Sequence, residues 1–198
     1  MTSPPPTPPV AGLLLAAGAG RRFGGPKALA QVDGEPLVLR ALRTLTAAGC
    51  DPVRVVVGAA ADQVRALLPD PAQAVLAEDW ASGMGASLKA GLTALQSVDA
   101  PKAALVHLVD LPWVGPDILT RVSARATAET VARAAYHGVP GHPVLLGRRW
   151  WAEIAGAARG DRGARDWLAT REDLTLIECG DLGSGRDVDR PGDLPGPA

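Results

Sequence analysis

Short apolar runs alternate with amphipathic segments from residue 11 almost to the end of the chain. The run at 11–16 is apolar throughout and is followed by glycines, which is typical of a parallel strand buried on both faces. The run at 103–109 has a similar character, and between the two runs Leu37, Ala41 and Leu45 recur at helical spacing. Strands and helices that alternate in this way indicate an α/β fold.

The composition predicts one globular domain, which we expect to span residues 11–198. The chain has 198 residues, of which 47% are apolar, so one hydrophobic core of ordinary size can form. Five prolines lie among the first nine residues. We therefore expect residues 1–10 to form a disordered, proline-rich tail.

Charge and hydropathy disfavour two classes of partner. The net charge of -1 gives no general positive field, so nucleic-acid binding is not expected. The longest apolar stretch, residues 10–19, is far shorter than the roughly 20 residues that a membrane span needs. The sequence shows no export signal, and Cys50 and Cys179 are far apart. We therefore expect a cytoplasmic protein with free thiols and no membrane partner.

The segment at 15–27 has the composition of an anion-binding loop. Gly18, Gly20 and Gly24 allow backbone N–H groups to approach an oxygen atom closely, and Arg22 and Lys27 add positive charge. The alternative is a glycine-rich turn between a strand and a helix, in which both cations are solvated.

Two common phosphate-binding motifs do not fit this loop. In the dinucleotide-binding motif G-x-G-x-x-G, the third glycine would follow Gly20 by three residues, but Gly24 comes one residue later. In the Walker motif, Gly20 and Gly25 are correctly spaced, but Pro26 stands in the place of the lysine. The sequence therefore disfavours an ordinary NAD enzyme or ATPase.

Asp110 directly follows the apolar run at 103–109. Because ligands of open α/β sheets bind at the carboxyl ends of the strands, the loops at 17–27, 78–87 and 110–114 are predicted to face one cleft. Mg²⁺ commonly takes one or two carboxylates together with substrate phosphates, so a second aspartate is expected elsewhere in the chain. The alternative role for Asp110 is a turn or a helix cap.

The neighbouring sequence predicts structural roles for two further residues. A helix that carries Leu88 and Leu92 on its apolar face is predicted to begin near Ser82, a residue type that favours the N-cap. His107 lies inside the apolar run before Asp110, and we interpret it as a hydrogen-bonded core histidine.

Six motifs together resemble those of one known family. The segment L-A-A-G-A-G-R-R-F-G-G-P-K at 15–27 matches the signature loop L-A-A-G-x-G-x-R-x-G-x-x-K of nucleotidyltransferases. The others are G-M-G-A-S-L at 83–88, D-L-P at 110–112, G-H-P at 141–143, G-D-R-G-A-R at 160–165 and D-V-D-R-P-G-D at 187–193. In order and spacing they resemble the molybdenum cofactor cytidylyltransferases and related molybdopterin nucleotidyltransferases. The resemblance implies the nucleotide-diphospho-sugar transferase fold, a three-layer α/β architecture with a doubly wound, mostly parallel sheet.

The resemblance also implies a reaction, in which CMP passes from CTP to the terminal phosphate of molybdenum-bearing molybdopterin and pyrophosphate is released. Lys27 and Arg22 match the family's phosphate-binding positions, and with Asp110 they are the expected catalytic residues. Asp110 and Asp189 match the Mg²⁺ ligands, with Asp187 as a supporting or alternate ligand. A capping or turn role is the alternative for Asp189, which Pro191 follows closely. The expected nucleotide-binding residues are Ala16, Ala17, Gly18, Gly20, Gly24, Gly83 and Ser87. For Ser87, a solvent-facing position in its helix is the alternative.

The phosphorylated pterin acceptor is expected in the less regular part of the sequence. His142, Arg162 and Arg165 match family positions there, although a hydrogen-bonded loop residue is the alternative for His142. Trp150 or Trp151 could stack on a flat pterin, although packing in the core or at its rim is the alternative for both. A client molybdoenzyme is the protein partner that would receive the family's product.

Several functions remain open at this point. Within the family, Ala-Ala-Gly at 16–18 is more typical of cytidylyl than of guanylyl transfer, which favours CTP over GTP. The alternatives in the same class are guanylyl transfer to molybdopterin and nucleotidyl transfer to another small phosphate monoester. A different class is a non-catalytic protein that binds and delivers a pterin cofactor. Loss of Lys27 or Asp110 would favour that class, and both residues are present.

Overall fold

The computed structural model describes residues 9–194, and a mostly parallel sheet with helices on both faces dominates it. In chain order the strands are β1 (Val10–Leu15), β2 (Gln31–Val32), β3 (Glu35–Pro36), β4 (Val53–Val57), β5 (Ala74–Leu76), β6 (Ala103–Leu108), β7 (Val131–Tyr136), β8 (Val139–Gly147) and β9 (Thr175–Glu178). The helices are α1 (Leu37–Ala47), α2 (Ala61–Leu67), α3 (Met84–Gln96), α4 (Pro116–Ser123), α5 (Trp151–Ala157) and α6 (Arg165–Ala169). Within residues 9–194 no helix is long and apolar enough to cross a bilayer.

The main sheet has seven strands in the order β5-β4-β1-β6-β8-β7-β9, and β2 and β3 form a separate ribbon. β1 pairs in parallel with β4 and β6, and β7 pairs in parallel with β9. β8 runs antiparallel to both of its neighbours. The predicted mostly parallel sheet is confirmed.

The two faces of the sheet bury separate apolar clusters. Leu14 of β1 faces a cluster that includes Leu45 of α1, whereas Leu13 faces a cluster with Leu92 of α3 and Trp151 of α5. All of these side chains are fully buried. β1 is therefore covered on both faces, as its unbroken apolar sequence predicts, and the predicted three layers are confirmed.

Two predicted boundaries are wrong by one or two residues. Val10 was assigned to the tail, but it pairs with Ala103 and is 5% exposed, so it belongs to β1. The rest of the predicted tail, apart from Pro9, lies outside the described residues. Ser82 does not cap α3, because it ends a short 3-10 turn (Trp80–Ser82) and its hydroxyl donates to the Asp79 carbonyl oxygen at 2.8 Å. α3 begins at Met84, and its N-cap is Gly83.

His107 is buried in β6, as predicted, but the expected hydrogen bond of its ring is missing at one nitrogen. Among residues 9–194, Nδ1 of His107 has no hydrogen-bond partner. The residue is 1% exposed, and burial lowers the pKa of its imidazole to about 4. His107 is therefore a neutral core residue near pH 7.

Candidate active site

The loops that follow β1, β5 and β6 meet at one edge of the sheet and line two adjoining cavities. The first, the loop cavity, has a volume of about 450 Å³ and is lined by residues 18–22, Trp80, Ala81, Gly83 and Ser87. The second, the arginine cavity, has a volume of about 550 Å³ and is lined by Arg133, His142, Arg162 and Arg165. Arg22, Lys27, Asp110 and Asp161 line both cavities. The structure thus brings the three predicted loops to one cleft.

The glycine-rich loop is folded around one carbonyl oxygen. The oxygen of Gly20 accepts hydrogen bonds from the backbone N–H groups of Phe23, Gly24 and Gly25 at 2.9, 2.9 and 3.2 Å. Gly20 has a φ of 60°, and a Cβ on it would collide with the Gly25 carbonyl, so glycine is required here. This tight turn directs the chain from β1 towards Lys27.

The residues predicted for nucleotide binding in this loop divide into three groups. Gly18 and Gly20 line the loop cavity. The side chains of Ala16 and Ala17 are buried in the two apolar clusters, and the Ala17 carbonyl oxygen accepts from the Ala59 N–H at 3.0 Å. Gly24, with a φ of 93°, shapes the turn without lining either cavity.

Lys27 lies between the two predicted metal ligands. Its Nζ donates to Asp110 Oδ2 at 2.8 Å and to Asp189 Oδ1 at 3.3 Å. The Arg22 guanidinium lies 3.1 Å from the other oxygen of Asp189. Burial alone would lower the pKa of Lys27, but the hydrogen bonds and charges of Asp110 and Asp189 outweigh it and raise that pKa above its ordinary value. Residues from opposite ends of the chain therefore form one charged cluster at the junction of the two cavities.

The closing segment of the chain holds Asp189 in this cluster. The Asp189 and Arg190 backbone N–H groups donate to Oδ2 of Asp193 at 3.1 and 2.8 Å. The hydrogen bond from Arg190, followed by that from Asp189, lowers the pKa of the Asp193 carboxyl, and Arg186 adds an ion pair at 3.6 Å. Asp187 lines the arginine cavity but is not among the partners of Lys27.

The chemistry of Asp110 and Asp189 fits a divalent cation. Their carboxylates already share one positive charge, the ammonium of Lys27, at 2.8 and 3.3 Å. In the described part of the chain no group of three or more His, Cys, Asp or Glu side chains forms a closed metal site. Two carboxylates in an open cavity suit Mg²⁺ or Mn²⁺, which complete their coordination with water and substrate oxygens.

The segment that leads into α3 forms another wall of the loop cavity. Gly83 has a φ of 114° and a ψ of -177°, and a Cβ on it would collide with Gly160 and Asp161. Ser87, one turn into α3, is 5% exposed and lines the cavity, so the solvent-facing alternative is wrong. Trp80 also lines the cavity, although the sequence analysis did not single it out. An aromatic residue beside the predicted loop glycines was the signal that could have identified it.

The arginine cavity contains all three residues predicted for acceptor binding. Burial, followed by the charge of Arg133, lowers the pKa of His142 to about 3, so its ring is neutral near pH 7. Arg162 pairs with Asp166 at 2.9 Å. Arg133, on β7, lines the same cavity. The sequence does not predict this position, because no recognisable motif surrounds Arg133.

The tryptophans take the packing role rather than the stacking role. Trp151 is fully buried, and its ring N–H donates to the Leu146 carbonyl oxygen at 2.8 Å. The ring N–H of Trp150 donates to the Glu129 carbonyl oxygen at 2.9 Å, and Arg171 lies over that ring at 4.0 Å. Neither tryptophan lines the loop cavity or the arginine cavity, in agreement with the packing alternative.

Several curated proteins match along most of the chain. Nicotine blue oxidoreductase from Paenarthrobacter nicotinovorans is 38% identical over 193 residues, which cover 92% of this chain and 93% of that protein. Molybdenum cofactor guanylyltransferase from Burkholderia orbicola is 31% identical over 182 residues, which cover 87% of each chain.

Solved structures give a similar result. The crystal structure of Rv0371c from Mycobacterium tuberculosis H37Rv superposes with a TM-score of 0.78 at 25% identity, covering 94% of this chain and 96% of that one. A complex of Rv0371c with manganese superposes with a TM-score of 0.71 at 26% identity, covering 86% and 88%. The inositol-1-phosphate CTP transferase from T. maritima, with a TM-score of 0.71 at 14% identity and coverage of 95% and 92%, shares the fold.

The family model described as "MobA-like NTP transferase domain" matches residues 12–175, which include the glycine-rich loop, Lys27 and Asp110. This match spans well over half of the chain. The chain therefore belongs to the family of MobA-like NTP transferase domains.

Proposed function

We propose that the protein transfers CMP from CTP to the terminal phosphate of molybdopterin carrying molybdenum, releases pyrophosphate and uses Mg²⁺. The observation that carries this proposal is the position of Lys27, hydrogen-bonded to Asp110 and Asp189 where the two cavities join. One cavity is bounded by the glycine-rich loop and the other by arginines, so each cavity can bring one anionic substrate to the cluster.

The reaction joins one oxygen to one phosphorus. An oxygen of the acceptor phosphate forms a bond to the α-phosphorus of CTP, and the bond from that phosphorus to the bridging oxygen breaks, so pyrophosphate leaves with the electron pair. Because little covalent chemistry falls to the protein, positioned charges and N–H donors supply most of the catalysis. Lys27 and Arg22 would bind the triphosphate and stabilise the charge on the leaving group.

A divalent ion, when bound, would supply positive charge to the triphosphate. Asp110 and Asp189 would hold it, since their carboxylates face the same point and Mg²⁺ prefers oxygen ligands. The Lys27 ammonium would then be free to contact phosphate oxygens. The manganese complex of Rv0371c supports use of a divalent metal in this fold.

The choice of CTP rests on the Ala-Ala-Gly sequence at 16–18. The alternative donor is GTP, and the Burkholderia relative named as a guanylyltransferase supports it.

Pyrophosphate release with CTP and GTP, measured on the purified protein with Mg²⁺ and molybdopterin, tests the proposal and separates the two donors. Replacing Ala17 by Gly should move the preference towards GTP, and an unchanged ratio would assign base selection to another loop.

A second candidate function comes from the relative named nicotine blue oxidoreductase, which matches along 92% of this chain. The matching assay measures the reduction of nicotine blue by a reduced nicotinamide cofactor. The change in the absorbance of nicotine blue reports the reaction. The glycine-rich loop lacks the dinucleotide-binding spacing, which favours nucleotidyl transfer. Reduction without pyrophosphate release would replace the proposal, and binding of the pterin without either reaction would favour the delivery protein.

A further inference from the structure

Arg133 is a half-buried cation without a carboxylate partner. It lies on β7, lines the arginine cavity and donates from Nε to the Gly141 carbonyl oxygen at 3.0 Å. Within residues 9–194 no Asp or Glu oxygen lies within salt-bridge distance of its guanidinium. A partly buried charge is costly unless an opposite charge accompanies it. The terminal nitrogens of Arg133 therefore remain available for an anion that enters the cavity.

A second arginine faces the same space. Arg165, at the start of α6, lines the arginine cavity and likewise has no ion pair among the described side chains. Burial, followed by the charge of Arg165, lowers the pKa of Arg133. The neighbouring His142 is neutral near pH 7 and contributes no charge. Two guanidinium groups without ion-pair partners in the described part of the chain can donate hydrogen bonds to a bound oxyanion.

The backbone explains why Arg133 points into this cavity. Side chains alternate along a strand, so Arg133 shares a face of β7 with Val131, and Val144, its partner on β8, also lines the cavity. The bond from Nε to Gly141 fixes the guanidinium against the β7–β8 hairpin. The arginine is held by the fold before any ligand binds.

The rest of the cavity indicates the kind of molecule that would carry the anion. Apolar side chains form part of its wall, namely Leu88, Val106, Leu108, Val144, Leu146 and Leu168. Charged groups form another part, among them Lys27, Asp110 and Asp189 of the charged cluster. A ligand that fits both parts has an apolar surface and a phosphate-like group.

We propose that Arg133 and Arg165 together bind an oxyanion of the acceptor, with phosphate monoesters as the ligand class. This assignment rests on the proposed function, in which the arginine cavity receives the acceptor. Arg133 is the new member of the site, and its planar guanidinium can bind a phosphate through two parallel N–H···O bonds.

Inorganic phosphate is the probe for this site. Its dissociation constant is measured by calorimetry on the full chain without metal or nucleotide. Arg133→Gln and Arg165→Gln should each weaken phosphate binding by about tenfold or more, because hydrogen bonds to a charged group are lost. Arg125→Gln, a change at an exposed arginine that lines neither cavity, is the matched control and should bind phosphate as the wild type does. Arg165 is itself exposed, so its variant tests the pair without disturbing the core.

Phosphate could instead bind at the glycine-rich loop, and Arg22→Gln distinguishes that case. Binding that responds to Arg22→Gln and not to Arg133→Gln or Arg165→Gln would overturn the assignment. With active enzyme, Arg133→Gln should raise the KM for the acceptor about tenfold or more and leave the KM for the nucleotide near its wild-type value. Arg133→Lys should recover part of the loss, because it keeps the charge but not the paired N–H donors.

The two proposals can fail separately. If the wild type releases no pyrophosphate with any nucleotide, but phosphate binding still depends on Arg133 and Arg165, the proposed function fails and the anion site stands. If pyrophosphate release is normal and both variants keep wild-type acceptor KM and phosphate affinity, the anion site is overturned and the proposed function stands.

Discussion

The backbone N–H of Val188 donates a hydrogen bond to the carbonyl oxygen of Asp110 over 3.0 Å. This bond joins the closing segment of the chain to the loop after β6. Because Asp189 follows Val188, the contact brings its carboxylate to the cluster that contains Asp110 and Lys27. Val188 is fully buried, so the attachment also has an apolar anchor. The site therefore depends on chain segments that meet only after the sheet has formed.

Removal of the Lys27 ammonium should impair catalysis far more than folding. Lys27→Ala should lower turnover by about 100-fold or more, which corresponds to roughly 3 kcal/mol of lost transition-state stabilisation. Asp110→Ala should have an effect of the same size, because it removes a proposed metal ligand. Pyrophosphate release at saturating nucleotide is the measurement.

Lys89, exposed on α3 and outside both cavities, provides the matched control. Lys89→Ala should leave turnover close to that of the wild type. Near-normal turnover in both Lys27→Ala and Asp110→Ala would contradict nucleotidyl transfer at this cluster.

Asp193 should affect metal binding without touching the metal. Its carboxylate holds the backbone N–H groups of Asp189 and Arg190, so Asp193→Ala frees the loop that carries Asp189. We expect the affinity for Mn²⁺ in the presence of CTP to fall by about tenfold or more, as for other groups that orient metal ligands. Electron paramagnetic resonance of free Mn²⁺ measures this affinity. Asp173→Ala, at an exposed aspartate bonded to Arg171, is the control, and an equal loss there would refute the positioning role.

Two glycines should respond to alanine in opposite directions. Gly83 has backbone angles that only glycine adopts readily, and a methyl group there would collide with Gly160 and Asp161. Gly83→Ala should therefore lower the free energy of unfolding by about 2 kcal/mol or more. Gly156 lies exposed in α5 with open space around it, and Gly156→Ala should raise the free energy of unfolding by about 0.5–1 kcal/mol. Urea unfolding measures both. Equal effects at the two positions would show that Gly83 is not constrained.

The parts of the site that the sequence predicts are those carried by local signals. Apolar runs identify β1 and β6, and residues at their carboxyl ends, such as Asp110, are placed at the cleft by topology alone. Lys27 and Asp189 were found through motifs, since nothing in the spacing of residues 27 and 189 reveals that they meet.

The parts that were missed depend on tertiary geometry. Arg133 lies within an apolar strand, and only the packing around β7 shows that its face of the strand borders a cavity. Ser82 has the right chemistry for an N-cap, but it ends the 3-10 turn before α3 and its hydroxyl donates to the Asp79 carbonyl oxygen instead. The missing partner of His107 Nδ1 likewise depends on which side chains surround β6, which a sequence does not specify.

The buried His107 should make stability depend on pH. Burial lowers its pKa to about 4 in the folded chain, whereas an unfolded histidine titrates near about 6.5. Between these values the unfolded chain binds a proton that the folded chain does not, so this contribution to stability is complete above about pH 6.5 and is lost as the pH falls towards 4. One such group gives the free energy of unfolding a slope of about 1.4 kcal/mol per pH unit inside that window.

In His107→Leu the free energy of unfolding should therefore fall less steeply between about pH 6 and 4.5 than in the wild type, whatever its value at neutral pH. Urea unfolding at stepped pH measures both slopes, and identical slopes would show that His107 takes up its proton in the folded protein as readily as in the unfolded one.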